Sequence, residues 1–171
     1  MPNYRRSRLA GGTYFFTVTL KDRSSRLLTE NIESLRSAIK QTREKYPFKI
    51  DSWVVLPEHM HCIWTLPKND GDYDLRLRRL KTLFTYQLKL SATIHPKQKV
   101  WQRGYWEHTI RDDEDFKAHV DYVHINPVKH GWVNRIIEWP YSTFHRYVQS
   151  GVYAPDWAGG YEIGLSIPVG E

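Results

Sequence analysis

Two apolar, β-prone runs, Phe48 to Leu56 and His59 to Leu66, are separated only by Pro57-Glu58. A link this short joins antiparallel neighbours, so the chain must be built around a hairpin in an antiparallel sheet. Side chains alternate along a strand, which puts His59 and His61 on one face and Met60, Cys62 and Trp64 on the other. Two imidazoles side by side on a rigid strand have two readings: ordinary histidines of a half-exposed sheet, or half of a metal site. The second reading requires a further ligand and a nucleophile from elsewhere in the chain.

The remaining elements follow from periodicity and turn residues. Thr13 to Leu20 is a run of β-branched and aromatic residues after Gly11-Gly12 and predicts a strand. Thr29 is placed to cap a helix with apolar positions at Ile32, Leu35, Ala38, Ile39 and Tyr46, closed by Pro47. Past the turn residues 68–72, Leu77, Leu80, Phe84 and Leu88 mark one face of a second helix, and Arg76, Arg78, Arg79, Lys81 and Lys89 occupy its other sides. Val100 to Arg111 reads as a further strand. Its Trp101-Gln102-Arg103-Gly104-Tyr105-Trp106 interleaves aromatic and basic groups, a composition suited either to unpaired nucleotides or to a core.

Asp112-Asp113-Glu114-Asp115 is an acidic helix start. The helix is expected to stop near Asn126, because Pro127 disfavours helical geometry in the residue before it. Phe116, Val120 and Val123 form the stripe that should anchor to the sheet. Asp115, His119, Tyr122 and Asn126 form a second stripe about a quarter turn away, with Tyr122 and Asn126 one above the other.

Strand, helix, strand, strand, helix, strand, helix is an α+β order. It predicts a ferredoxin-like, RRM-like βαββαβ antiparallel sheet with one added helix. Met60, Cys62, Trp64 and Leu66 should face the first two helices, leaving the Tyr122 helix to cover His59 and His61. At 171 residues the chain is read as one domain (1–171), with its core over about 10–150 and a Gly- and Pro-rich tail over 151–171. The single Cys62 excludes an intrachain disulfide and a cysteine-rich zinc site, as suits a reducing cytoplasm. No apolar run reaches the roughly 20 residues of a membrane span, and the basic start of the chain lacks a signal peptide's apolar stretch. A net charge of +6 points to a polyanionic partner. Arg5, Arg6 and Arg8, with Arg76, Arg79 and Arg103, are the candidates for phosphate contact.

Four segments carry a family resemblance: Trp53 to His61, Trp101-Gln102-Arg103, Trp106-Glu107-His108, and Asp121 to Gly131. Trp139-Pro140-Tyr141-Ser142-Thr143 extends it. Together they resemble the HUH single-strand nucleases in their single-tyrosine branch, and most closely the REP-associated tyrosine transposases. The resemblance implies that His59 and His61 hold a divalent cation, Mg²⁺ or Mn²⁺, and that Tyr122 is the nucleophile. It also implies Asn126 as third ligand, where related insertion-sequence transposases often carry the longer glutamine. The implied substrate is a single-stranded DNA hairpin of the repetitive extragenic palindrome type, cleaved through a 5′-phosphotyrosine. It implies, further, a nucleoid-associated protein, monomeric as in the REP-associated branch, whereas transposase relatives often form dimers that share active sites. No second tyrosine lies one turn from Tyr122, unlike in the two-tyrosine replication initiators.

The chemistry is coherent with that resemblance. Breaking a phosphodiester needs an in-line nucleophile and charge stabilisation on the phosphoryl oxygens. A tyrosine with an ordinary pKa of about 10 needs local activation. Two other classes remain open: a binding module using Tyr14, Phe16, Trp53 and Trp101 as a stacking platform, and a hydrolase of small phosphate esters in which Tyr122 has no role.

Overall fold

The computed structural model describes residues 6–159 and 169–170. Four strands, β1 (Thr13–Thr19), β2 (Lys49–Val55), β3 (His59–Thr65) and β4 (Trp106–Thr109), form one sheet in the order β2-β3-β1-β4. Every pairing is antiparallel. After the single turn α1 (Leu27–Glu30), helices α2 (Ile32–Lys45) and α3 (Tyr73–Leu90) supply the crossovers, and α4 (Asp113–Lys129) is the added helix. This is the expected ferredoxin-like α+β arrangement.

Alternation along the strands sorts two cores. Tyr14, Phe16 and Val18 of β1 and Met60, Cys62 and Trp64 of β3 pack against Leu35, Ala38, Leu77, Leu80 and Phe84 of α2 and α3. The opposite face carries Phe15, Val54 and Ile63, covered by Val120, Tyr122 and Val123 of α4. Each fully buried valine there contributes about 1.5–3 kcal/mol. Of the four rings that a binding module would use as a stacking platform, Tyr14 and Phe16 are buried beneath helices and Trp53 and Trp101 are half-buried.

Four local expectations are corrected. Thr29 lies inside α1 and Asn31 precedes α2, so Thr29 is not its cap. The strand read over 100–111 is regular only over Trp106–Thr109. Gly104 takes the left-handed φ of +82°, and the Trp101 indole turns to donate to the Lys81 carbonyl and Thr85 Oγ1 on α3. The helix does not stop at Asn126 but runs through Pro127 to Lys129. A proline within a helix forfeits one backbone bond. Here it is buried and near the end, where the chain stops in a Schellman turn. Gly131 at φ +72° donates to the Val128 carbonyl, and Trp132 to that of Pro127. Finally, residues 151–159 are not loose: Tyr153 and Trp157 pack on Phe144 and belong to the core beneath α4.

The Trp139 to Thr143 segment covers the β2 edge. Trp139 Nε1 donates to the Val55 carbonyl, the Val55 N–H to the Tyr141 carbonyl, and the Thr143 N–H to the Trp53 carbonyl. His124 of α4 is tied into the same seam, its Nε2 lying 2.8 Å from Thr143 Oγ1. Burial, reinforced by the Arg146 charge, pushes the His124 imidazole down to about 3, so it serves packing as a neutral ring.

Candidate active site

β3 and α4 meet over the Phe15 ring, which lies 5.5 Å from the His61 ring and 6.1 Å from that of Tyr122. The His59 and His61 rings are 4.9 Å apart, and His61 is 5.3 Å from Tyr122. Sequence alternation and helix periodicity thus do bring the histidine pair and the tyrosine together. His59, His61, Tyr122 and Asn126 are all completely or almost completely buried.

Hydrogen bonding fixes which imidazole nitrogens face inward. His59 Nδ1 lies 2.7 Å from Glu58 Oε1. A carboxylate only accepts, so Nδ1 carries the proton and the lone pair is on Nε2. Burial alone would raise the Glu58 carboxyl, but the His59 hydrogen bond and the Arg23 charge outweigh it and hold that carboxyl below its ordinary value. His61 Nδ1 lies 2.8 Å from Thr17 Oγ1, whose hydroxyl proton goes to the Val169 carbonyl. The hydroxyl has one proton to give, so His61 Nδ1 must donate, and its lone pair too is on Nε2.

These residues fit a divalent cation. His59 Nε2 and Asn126 Oδ1 are buried without a hydrogen-bond partner, an arrangement costly unless a ligand answers them. Asn126 Nδ2 donates to the Tyr122 backbone carbonyl at 2.8 Å, which orients Oδ1 as the atom left to coordinate. Imidazole nitrogens and an amide oxygen are chemically suited to Mn²⁺, and to Mg²⁺ with further oxygen ligands.

Four contributing residues had no role assigned from sequence: Glu58, Thr17, Lys129 and His130. Lys129 Nζ donates to Tyr122 Oη at 2.8 Å. It follows Tyr122 by seven residues and so extends the Tyr122–Asn126 stripe, a signal hidden by the expected stop at Asn126. His130, set by the Schellman turn, places its ring 5.1 Å from that of His59. Glu58 was detectable as the carboxylate next to the first histidine. Thr17 was not, because its place beside His61 depends on strand register.

A second cluster flanks this one. Asp115 Oδ2 accepts from His108 Nε2 at 2.9 Å, from the Arg111 N–H at 2.9 Å and from Arg111 Nε at 3.2 Å. Burial opposes ionisation, yet these donors pull the carboxyl down to about 2. His119 Nδ1 approaches the Asp115 carbonyl at 2.8 Å, its ring stacked on that of His108 at 4.5 Å. Burial, more than any other cause, pulls the His119 imidazole down. With Asp115 committed to these donors, the triad His108, Asp115 and His119 reads as a brace for the start of α4, although its spacing would admit an ion.

The arginines scatter. Arg5 lies outside the described residues. Arg76 is 1% exposed, its guanidinium donating to the Asp72 and Pro47 carbonyls and to Asp70. It ties a loop to α3 and is not available to a phosphate, which corrects its candidacy. Arg79 is half-buried on α3, while Arg8 and Arg103 are exposed. Arg6 lies over the Tyr105 ring at 3.9 Å.

A ferredoxin-like sheet that sets a histidine pair against a helix-borne tyrosine is the layout of the tyrosine transposases. The chain belongs to the IS200-like transposases: the family described as "Transposase IS200 like" matches residues 9–126. Over 159 residues the chain is 52% identical to the REP-associated tyrosine transposase of Escherichia coli (strain K12), covering 93% of this chain and 92% of that one. A solved structure of a REP-associated tyrosine transposase bound to a REP hairpin matches with a TM-score of 0.85 and 47% identity, covering 98% of this chain and 99% of that one. Among the described residues, no helix is long and apolar enough to cross a membrane.

Proposed function

We propose that this protein is a metal-dependent endonuclease and strand transferase that cleaves single-stranded DNA at REP-type hairpins through a 5′-phosphotyrosine. The observation that carries the reading is the pairing of buried, unanswered His59 Nε2 and Asn126 Oδ1 with a tyrosine hydroxyl that an ammonium group contacts. Membership of a transposase family and the hairpin-bound relative supply the substrate class.

In this reading His59, His61 and Asn126 hold the cation, which when bound supplies Lewis-acid stabilisation of the phosphoryl oxygens. Glu58 and Thr17 keep both imidazoles in the ligating tautomer. Tyr122 Oη attacks the phosphorus, the P–O3′ bond breaks, and the 3′ oxygen leaves with a proton as a free hydroxyl. The 5′ phosphate of the downstream fragment stays esterified to Tyr122. Lys129 holds Oη and stabilises the negative charge that the oxygen carries as its own proton departs. Because the ester keeps the bond energy, a free 3′-OH can reverse the step onto another strand. Likeness to the REP-associated branch supports a monomer acting in the cytoplasm on nucleoid DNA, with a dimer that shares active sites as the alternative.

The test uses end-labelled single-stranded hairpins with Mn²⁺ on a denaturing gel. A 3′-labelled oligonucleotide is expected to shift to a protein-sized band, a 5′-labelled one only to shorten, and Tyr122→Phe to lose both signals while still binding DNA. An adduct on the 5′-labelled fragment would reverse the assigned leaving group and refute the mechanism.

A further inference from the structure

Away from the histidine pair, the chain before β1, helix α3 and the turn before β4 bring positive charges onto one aromatic ring. Arg6 Cζ lies 3.9 Å and Lys81 Nζ 5.6 Å from the centroid of the Tyr105 ring. Arg6 Nη2 makes a long 3.4 Å contact with the Tyr105 carbonyl, and Arg6 Nη1 is buried without a hydrogen-bond partner. Lys81 Nζ donates to the Gly104 carbonyl at 2.8 Å. Gly104 takes a left-handed φ of +82°, and a Cβ there would lie 4.0 Å from Arg6 Nη2. Arg103, next in the turn, is exposed.

One carboxylate, Asp74, acts by charge on both cations, but its hydrogen bonds go elsewhere. Asp74 is engaged by the Tyr105 hydroxyl at 2.7 Å and by Arg78 at 2.7 Å. Burial, and then the Arg6 charge, depress the Lys81 ammonium to about 8, outweighing the nearby Asp74 charge that raises it. An unanswered guanidinium N–H beside a half-buried ammonium is the donor set of a phosphate site.

We propose that Arg6, Lys81 and the Gly104 turn form a seat for one backbone phosphate of the bound single-stranded DNA. The inference rests on the proposed function and adds where the strand runs. Trp106, the residue after Tyr105, pairs with Thr17, which in turn pairs with His61. β4 is two strand spacings, about 10 Å, from β3. Trp106 packs on the α4 side of the sheet with the histidine pair, whereas Tyr105 packs on the α2 and α3 side, so a strand leaving the histidines meets the seat by passing round the β4 edge. Charge favours nucleic acid over a protein partner, and Tyr105 and Trp101 beneath the two cations keep them fixed.

The test is fluorescence anisotropy with a labelled REP-type single-stranded hairpin, titrated with salt. Lys81→Gln and Arg6→Gln are each expected to weaken binding about threefold to tenfold and to reduce the log–log salt slope by about 0.7–0.9, one phosphate's worth. Lys81→Arg, which keeps the charge, should stay within about twofold of wild type. Unchanged affinity and slope in both glutamine variants, with wild-type hairpin binding intact, would overturn the seat alone. A wild type that binds no hairpin would overturn the seat and the functional reading together. Arg6→Gln lies before β1 and tests the seat even if Lys81→Gln fails to fold. Calorimetric titration with inorganic phosphate separates the two sources of the ligand. No saturable binding is expected, and saturable binding that Lys81→Gln abolishes, without loss of hairpin affinity, would reassign the site to a free anion.

Discussion

Lys129 Nζ stands 2.8 Å from Tyr122 Oη, two turns further along the same face of α4. The contact exists because the helix continues through Pro127, so a residue beyond the proline reaches back to the hydroxyl. Lys129→Met is expected to slow hairpin cleavage about 10²-fold while leaving hairpin affinity within a few-fold. Single-turnover cleavage beside anisotropy checks this. Lys129→Arg, which keeps the charge but alters the reach, should fall between the two.

His59→Ala and His61→Ala are each expected to abolish cleavage while the protein still binds hairpins, since neither ring belongs to the core against α2 and α3. Asn126→Ala should act mainly on metal affinity and be partly restored by raised Mn²⁺. Chelation of the wild type should stop cleavage without releasing the hairpin. Near wild-type rates in either histidine variant would remove them from the ligand set.

Glu58 orients His59 through a 2.7 Å hydrogen bond and touches no reacting atom. Glu58→Gln is expected to weaken the metal dependence of cleavage about 10–100-fold, with the rate at saturating Mn²⁺ nearly unchanged. A Mn²⁺ titration of the cleavage rate separates this from a loss of catalysis.

Asp115 links folding to acid. Its carboxyl, near 3.9 in an unfolded chain, is held at about 2 in the fold. The stabilisation is thus complete above about pH 4 and is lost as pH falls toward 2. Asp115→Asn is expected to cost about 1–2 kcal/mol at neutral pH and to flatten the decline of stability between pH 4 and 2. Urea midpoints across that range measure both effects.

Sequence periodicity by itself determined the order of strands and helices along the chain and the two faces of β3, and it allowed His59 and His61 to meet Tyr122. Those features follow from local rules, a period of two in strands and 3.6 in helices, together with a hairpin too short for any other pairing. What tertiary structure alone decided depends on partners distant in sequence. The proline rule favoured a stop at Asn126, but burial of Pro127 and the Gly131 turn carried the helix on and brought Lys129 to the nucleophile. Strand register put Thr17 against His61 and thereby set its tautomer. Charge on a helix looked uniform in sequence, yet packing buried Arg76 in a loop clamp and gathered Lys81 with Arg6. Local pattern says which face a side chain takes, whereas its hydrogen-bond partner and its exposure to water are set by whatever the fold lays beside it.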